Sequence, residues 1–320
     1  IRNVPTAYQA ESWDAYTATA NTLLNIDPDN IDDVSKSMID NAVAQREALV
    51  QDAPAADCMW YIWGDAPATA ETVEVSDFTA ESYDNADMKP FLVPYLVEDQ
   101  LAAKGNMIVI AGGGYSSRGN AMEGYPIAEA FQDLGYNAYV LQRRVAPYSQ
   151  EDTWLDMQRA VRMVKYYSDQ WGIDLEGSLL AVSGYSGSGG NIRTMLKKFY
   201  GNITPSQFDP DYVCDAVDAV NSDVDVAHLI YSGGPLETEN PNLPHMFIAV
   251  GADDQWEGSL EMFKQAYALG LDPELHVYGL NGHGFGAGME GTSSMTWMET
   301  CDLYMQKVMG YAEIPFTGEI

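Results

Sequence analysis

The stretch AVSGYSGSGGN, residues 181–191, places Ser186 and Ser188 among four glycines directly after an apolar run. A reactive serine on a strand-to-helix turn needs small residues two positions before and after it, because the tight turn brings those positions together. Ser186 is flanked in this way by Gly184 and Ser188, and Ser188 is flanked by Ser186 and Gly190. The apolar run ends at Gly184, which puts Ser186 at the tip of the turn. We therefore predict Ser186 as a nucleophile, with Ser188 as the alternative and a flexible linker as the non-catalytic interpretation.

From residue 105 onward, short apolar segments typical of buried strands alternate with amphipathic segments typical of helices. Alternation of this kind predicts an α/β fold, in which a mostly parallel central sheet carries helices on both faces. In such a sheet the functional groups lie at the carboxyl ends of the strands. The turn that carries Ser186 follows one of these predicted strands, so it is expected at that edge.

The first part of the chain has a different pattern. Residues 1–52 are polar with helical spacing, and the following β-like segments contain Pro90 and Pro94, which favour edge strands over central ones. We expect antiparallel edge strands here. The predicted organisation is an N-terminal extension, residues 1–104, as a candidate cap, and a catalytic core, residues 105–320, together forming one compact domain.

The composition limits the functional classes. There are 47 acidic and 16 basic residues, and the formal net charge is -31, so we expect no nucleic-acid partner and no attraction to anionic membranes. No apolar run approaches the roughly 20 residues of a membrane span. The acidity and the start at Ile1 rather than Met favour a secreted or cell-surface protein whose leader was removed. The three cysteines are far apart, so they predict neither a disulfide framework nor a paired metal site.

A second glycine-rich loop, AGGGY at residues 111–115, follows the first strand of the predicted core. It partly fits a dinucleotide fingerprint, but Ser117 stands at the third glycine, and Arg143 and Arg144 end the next strand where an acid is usual. An arginine there suits a 2′-phosphate, so this interpretation stays open. The alternative is an oxyanion hole, in which backbone N–H groups meet charge that develops on a carbonyl oxygen.

His283 is the candidate general base. The other three histidines lie in or beside strand-like segments and are expected to be structural, whereas His283 lies between two glycines in a loop after a strand. Asp253 and Asp254 follow an earlier strand, where a carboxylate can accept the Nδ1–H of a histidine. The order Ser, Asp, His along the chain is that of α/β-hydrolases. From the residues alone, either aspartate can be the partner.

Four segments together resemble the α/β-hydrolase esterases, in particular the hormone-sensitive-lipase-like and the acetyl-xylan or feruloyl esterase groups. Those groups typically show P-G-G-G-Y or H-G-G-G, then Y-R-x-A-P, G-[FY]-S-A-G-G and a final H-G-F. This chain has AGGGY, RRVAP, GYSGSGG and GHGFG in the same order, with VGADDQW as the acid loop. The resemblance covers about residues 105–310. The departures are Ala111, Arg143, Ser188 and Gln255, which replace His or Pro, Tyr, Gly and Pro.

The resemblance implies a role for each matching position. Ser186 is the nucleophile, His283 the base and Asp254 the acid, with Asp253 as the alternative. The N–H groups of Gly113, Gly114 and Gly187 are expected to form the oxyanion hole, and Arg144 and Asp156 a structural ion pair. Three aromatic residues near these loops either line the substrate site or pack in the core: Tyr115, Tyr185 and Trp256.

The expected activity is hydrolysis of carboxylic esters through an acyl-enzyme, with neither a metal nor an organic cofactor. The expected substrate is a short-chain ester, such as an acetyl ester of a carbohydrate or a similar alcohol. Two alternatives remain at this stage. One is an amidase or peptidase with the same Ser186, Asp254 and His283, and the other is a binding protein that keeps the hydrolase fold without turnover.

Overall fold

The computed structural model describes residues 15, 18–20, 23, 33–47, 58–63, 71–72, 90–171, 173, 175 and 177–310. The chain forms two compact units, of which the first contains residues 1–56 and 167–174 and the second contains residues 57–166 and 175–320. In the first unit, helix α1 spans Asp33–Glu47. Most of the predicted helical segment before α1 lies outside the described residues. The division that we predict at residue 104 stays a prediction.

The second unit is built on a sheet whose described strands follow the order β2-β1-β3-β5-β4-β6-β7-β8-β9. Strands β4 to β9 run parallel to one another in this sheet, as the alternating pattern predicted, and β1 to β3 are antiparallel to their neighbours, including β5. The strands are β1 (Cys58–Tyr61), β2 (Glu71–Thr72), β3 (Phe91–Tyr95), β4 (Gly105–Ile110), β5 (Tyr136–Gln142), β6 (Leu179–Tyr185), β7 (Val226–Ile230), β8 (His245–Gly251) and β9 (Glu274–Tyr278).

An α-helix follows every parallel strand except β7. They are α2 (Tyr125–Asp133), α3 (Gln150–Trp171), α4 (Gly187–Lys198), α5 (Trp256–Ala268) and α6 (Trp297–Val308), and a π-helical turn, Asn120–Gly124, leads into α2. Every residue of β4, β5, β6 and β7 is buried. Strands buried along their whole length are covered on both faces, which explains their continuous apolar sequence.

The winding of the chain places the glycine-rich loops side by side. Strand β4 lies between β5 and β6, so the chain leaves β4 in one direction and returns on its other side. In an open parallel sheet, such a reversal creates a crevice at the carboxyl ends of the strands. The loops after β4 and β6, which contain Gly113 and Ser186, therefore meet at this crevice.

The antiparallel arrangement of β1, β2 and β3 is confirmed, but the edge position predicted for the proline-containing strand is wrong. Strand β3 lies between β1 and β5, and its Pro94 is opposite Tyr139 of β5. The proline is tolerated because the described part of β1 pairs only with Phe91 and Leu92. Pro90 precedes the strand, and its carbonyl accepts the N–H of Ile62 at 3.1 Å.

Candidate active site

Ser186 lies on a strained turn between β6 and α4. Its backbone has φ 52° and ψ −125°, in a region that residues other than glycine rarely adopt. A Cβ on Gly184 would lie 2.9 Å from the Gly189 nitrogen and 2.5 Å from Cδ1 of Ile192. The turn therefore brings the start of α4 against the end of β6, which is why a residue without a side chain is needed two positions before Ser186.

His283 contacts Ser186 from the loop after β9. Its Nε2 lies 2.7 Å from Oγ of Ser186, and 49% of its side chain is exposed. The edge of its ring packs against Tyr231, with ring centroids 5.1 Å apart. The glycine-flanked loop thus delivers the imidazole to the serine, as its position in the sequence predicted.

Asp254 completes a continuous chain of hydrogen bonds. Its Oδ2 lies 2.8 Å from Nδ1 of His283, and only 8% of its side chain is exposed. A proton on Nδ1 that is donated to this carboxylate leaves the Nε2 lone pair free to accept the hydroxyl of Ser186. The neighbouring Asp253 instead uses its backbone N–H, which donates to the carbonyl of Asn281 at 2.9 Å. The structure therefore brings Asp254, and not Asp253, to the imidazole.

The glycine-rich loop after β4 lies directly beside Ser186. Gly113 and Gly114 have φ values of 97° and 62°, so both require a residue that tolerates the left-handed region. A Cβ on Gly112 would lie 2.8 Å from Cβ of Ser186, and one on Gly187 would lie 2.8 Å from Cα of Gly114. The N–H of Gly187 is in the first turn of α4, where backbone donors have no partner within the helix.

Ser188, the alternative nucleophile, is fully buried in the first turn of α4. Its Oγ donates to the carbonyl of Ala111 at 2.6 Å and accepts from Nε of Arg143 at 3.1 Å. The first interaction fastens the loop after β4 to the start of α4, and the second fastens the end of β5 to it. Since no surface of Ser188 is exposed, the structure offers a substrate Ser186 rather than Ser188.

Comparison with solved structures agrees with this architecture, whereas the chain matches no protein-family model and no curated protein. Among solved structures, it is similar to the acetyl ester-xyloside bifunctional hydrolase from Caldicellulosiruptor lactoaceticus, with 22% sequence identity, a TM-score of 0.63 and coverage of 79% of this chain and 96% of that chain. It is also similar to MGS-M1, an α/β-hydrolase enzyme from a Medee basin deep-sea metagenome library, at 19% identity, a TM-score of 0.55 and coverage of 71% and 95%.

A third similar structure is the thermophilic esterase Est2 from Thermogutta terrifontis, with 19% identity, a TM-score of 0.54 and coverage of 74% of this chain and 93% of that chain. The chain has the α/β-hydrolase fold. This confirms the predicted fold class, and the site lies where the α/β-hydrolase fold places its nucleophile turn, after a central strand.

The guanidinium groups of Arg143 and Arg144 both have partners within the protein, where a nucleotide phosphate would have to bind. Arg143 is fully buried, and its guanidinium donates to loop carbonyls, including that of Gly112 at 3.2 Å. Arg144 forms the predicted ion pair with Asp156 at 2.7 Å, which is confirmed, and a second one with Asp152 at 3.0 Å. The suggestion that an arginine here receives a 2′-phosphate is therefore wrong, because both guanidinium groups bind the hydrolase fold itself.

The three predicted aromatic residues differ in exposure. Tyr185 has no exposed surface: its hydroxyl accepts from Ser183 Oγ at 2.9 Å, and its ring packs on Trp297. The structure contradicts a substrate-lining position for Tyr185 and confirms the alternative, packing in the core, because Tyr185 is the last residue of β6 and its ring is part of the core cluster. Tyr115 is half-buried, and Trp256 is 37% exposed at the first residue of α5. For these two, contact with substrate stays a prediction.

Two residues beside the site were missed in the sequence. Asn281 is fully buried, and its Oδ1 accepts from Oγ of Ser294 at 2.8 Å, which fixes the loop before His283. Glu123, also buried, accepts the N–H of Gly112 at 2.7 Å. In the sequence, Asn281 stands out only by its place two residues before His283, and nothing points to Glu123.

No cluster of three or more metal-ligating side chains occurs among the described residues. Within the same residues, no helix is both long and apolar enough to cross a membrane. His228 is buried as expected of a structural residue, with its ring stacked on Phe131 at a centroid distance of 5.9 Å. Cys301 is buried with a free thiol, and Cys214 is exposed with a free thiol.

Proposed function

We propose that this protein is a serine hydrolase that cleaves carboxylic esters through an acyl-enzyme. The observation that carries the proposal is the unbroken hydrogen-bond chain from Ser186 through His283 to Asp254. His283 takes the proton of Ser186 as the hydroxyl attacks the ester carbonyl, and Asp254 orients the imidazole and stabilises its positive form. The protonated imidazole then gives its proton to the leaving alcohol. Water, activated by the same histidine, attacks the acyl-enzyme and releases the acid.

The negative charge on the attacked carbonyl oxygen needs donors that are already in place. We propose the N–H groups of Gly113, Gly114 and Gly187 for this role, because Gly187 lies against Gly114, and Gly113 lies between Gly114 and Gly112, which lies against Ser186. Donors fixed in advance stabilise the transition state more than the substrate, which is the condition for a gain in rate.

For the substrate, we propose a short acyl group, such as acetyl, on a carbohydrate or a similar alcohol. Support comes from the similarity in fold to a hydrolase named for acetyl esters and xylosides, and to an esterase whose structures include propionate-bound and butyrate-bound forms. Residues 187–253 add only α4, two 3₁₀ turns, β7 and β8 between the nucleophile and the acid. The second unit therefore has no large inserted lid in this stretch, which suits a bulky alcohol.

The experiment that tests the activity compares Ser186→Ala with Ser188→Ala on p-nitrophenyl acetate. We expect Ser186→Ala to lower kcat roughly 10⁴-fold or more and to abolish labelling by a fluorophosphonate. Ser188→Ala should remain active and labelled, because Ser188 is structural. Loss of labelling only in Ser188→Ala, or no labelling of the unmodified protein, contradicts the proposal.

A panel of acetyl esters and aminoacyl amides then addresses the bond that is cleaved. Acetylated xylose and longer p-nitrophenyl esters are compared with aminoacyl p-nitroanilides, at equal enzyme concentration. We expect the highest kcat/KM for acetyl esters. A higher kcat/KM for the anilides would assign the same Ser186 and His283 to an amidase instead.

A further inference from the structure

The peptide groups of Gly112 are held by two buried side chains of opposite charge. The N–H of Gly112 donates to Oε2 of Glu123 at 2.7 Å, and its carbonyl accepts from Nη2 of Arg143 at 3.2 Å. Arg143 has no exposed surface, and Glu123 is 5% exposed. Because a Cβ on Gly112 would lie 2.8 Å from Cβ of Ser186, this doubly held residue is immediately beside the candidate nucleophile.

Arg143 also lies within hydrogen-bonding distance of three further carbonyls of the same loop. Its Nη2 lies 3.4 Å from the carbonyl oxygen of Ala111, 3.2 Å from that of Gly114 and 3.3 Å from that of Ser117. Its Nε donates to Ser188 Oγ at 3.1 Å. One buried cation thus contacts four carbonyls of residues 111–117 and ties this loop to the first turn of α4. Hydrogen bonds from a charged donor are roughly twice as strong as those between neutral groups.

The direction of these carbonyls determines where the N–H groups of the loop point. In a planar trans peptide, the carbonyl of one residue and the N–H of the next point in opposite directions. With the Gly112 carbonyl bound to Arg143, the N–H of Gly113 points away from the guanidinium. The Gly113 carbonyl accepts from the N–H of Ser117 at 3.3 Å and from its Oγ at 3.2 Å, which turns the N–H of Gly114 away from Ser117.

Arg143 keeps its charge in this environment. Burial, followed by repulsion from Arg118, lowers the pKa of Arg143 to about 10, while attraction to Asp156 and Glu123 opposes that change. The guanidinium is therefore protonated at neutral pH, and all of its hydrogen bonds are donated by a cation. A tyrosine at this position would offer one neutral O–H, whereas the four carbonyls share the two N–H groups of Nη2 in Arg143.

We propose that Arg143 and Glu123 are positioning residues that hold residues 111–117 in the conformation that offers the Gly113 and Gly114 N–H groups to an oxyanion at Ser186. This inference rests on the proposed esterase activity. Neither side chain contacts the reacting atoms in this role. They act through the backbone of Gly112, whose N–H donates to Glu123 and whose carbonyl accepts from Arg143.

The test is Arg143→Met, which keeps an unbranched side chain and removes every donor. We expect kcat for p-nitrophenyl acetate to fall roughly 10²- to 10³-fold, the usual effect of a damaged oxyanion hole, with KM changed less than about threefold. Affinity for a trifluoromethyl ketone, whose adduct with the serine carries an oxyanion, should fall in proportion to kcat/KM. The pH dependence of kcat/KM should stay unchanged, since His283 and Asp254 are untouched. Arg143→Lys should recover part of the loss.

Arg162→Met is the matched control, because Arg162 is an equally buried arginine that binds Asp218 at 3.2 Å and the carbonyl of Ile203 at 2.8 Å. It should lower stability without lowering kcat of the folded protein. Should Arg143→Met not fold, Glu123→Leu decides, because it removes the acceptor of the Gly112 N–H and should lower kcat and ketone affinity together by about tenfold or more.

Either folded variant with kcat and ketone affinity within about threefold of the unmodified protein overturns the inference. A failure of the proposed function would give a different experimental result. In that case the unmodified protein hydrolyses no ester and Ser186 is not labelled by a fluorophosphonate, whatever the state of Arg143. An active unmodified enzyme with an equally active Arg143→Met variant removes only the positioning role.

Discussion

Asp254 reaches His283 with its carboxylate, at 2.8 Å from Nδ1, while the backbone N–H of the adjacent Asp253 donates to the carbonyl of Asn281, two residues before the same histidine. Two adjacent aspartates therefore have different tasks. The backbone of Asp253 joins the acid loop to the loop that carries His283, whereas the carboxylate of Asp254 faces the imidazole. Because the two residues share a turn, they form a natural pair for comparison.

Asp254→Asn should lower kcat on p-nitrophenyl acetate roughly 10³- to 10⁴-fold, because an amide can neither hold the required tautomer nor stabilise the imidazolium. Asp253→Asn keeps its backbone N–H and should retain kcat within about threefold. Steady-state kinetics of both purified variants check this. A larger loss in Asp253→Asn than in Asp254→Asn would reverse the assignment of the two carboxylates.

Gly187→Ala tests the contact between the nucleophile turn and the glycine-rich loop. The new Cβ would lie 2.8 Å from Cα of Gly114, so the loop has to move away. We expect kcat to fall by about 10²-fold through displaced donors, although Ser186 and His283 remain in place.

Gly190→Ala on the same helix is the control, since its Cβ meets nothing nearer than Nη2 of Arg193 at 3.4 Å. It should keep full activity and raise the free energy of unfolding by up to about 1 kcal/mol, because alanine is the better helix former. If Gly187→Ala kept the same kcat as a fully active Gly190→Ala, the contact between the glycine-rich loop and the nucleophile turn would not contribute to turnover.

Much of this fold can be predicted from local patterns. The alternation of apolar strands and amphipathic helices indicates the parallel sheet, and small residues around Ser186 indicate the tight turn. The order of Ser186, Asp254 and His283 indicates which loops meet, because carboxyl ends of parallel strands share one edge of the sheet.

The interactions that depend on packing between distant segments could not be predicted. Glu123 reaches Gly112 only because a π-helical turn precedes α2, and no periodic pattern encodes that turn. Tyr185 lies in a segment rich in glycine and serine, which is typical of an exposed loop. Strand β6 nevertheless includes Tyr185, and its ring is buried. Pro94 is typical of an edge strand, yet the short pairing of β1 tolerates it inside the sheet.

Asp156→Asn tests the ion pair that holds the segment after β5. Asp156 is fully buried and accepts from the Arg144 side chain at 2.7 Å, the Arg144 N–H at 2.8 Å and Nε1 of Trp63 at 2.7 Å. Removing the charge breaks an ion pair whose carboxylate is fully buried and leaves the part-buried Arg144 with Asp152 alone as its charged partner, so the free energy of unfolding should fall by about 3 kcal/mol. Urea denaturation measures the change.

The exposed pair of Lys197 and Glu237, 3.0 Å apart, provides the comparison. Glu237→Gln should change the free energy of unfolding by no more than about 1 kcal/mol, because solvent screens both charges. Similar losses in Asp156→Asn and Glu237→Gln would mean that burial does not set the strength of the Arg144 interaction.

His228 should make the protein sensitive to acid. Burial lowers the pKa of His228 to about 3, from a value of about 6.5 in the unfolded chain. Between these pH values the unfolded chain binds a proton that the folded protein does not, so stability is fully present above about pH 6.5 and is lost as the pH falls. The expected loss between about pH 8 and pH 5 is about 2 kcal/mol.

His228→Leu, which keeps an apolar group against Phe131, should not show this part of the loss. Urea denaturation of both proteins at the two pH values isolates the contribution of His228, because every other group is common to both. An identical decrease in the two proteins would show that the imidazole accepts a proton without unfolding.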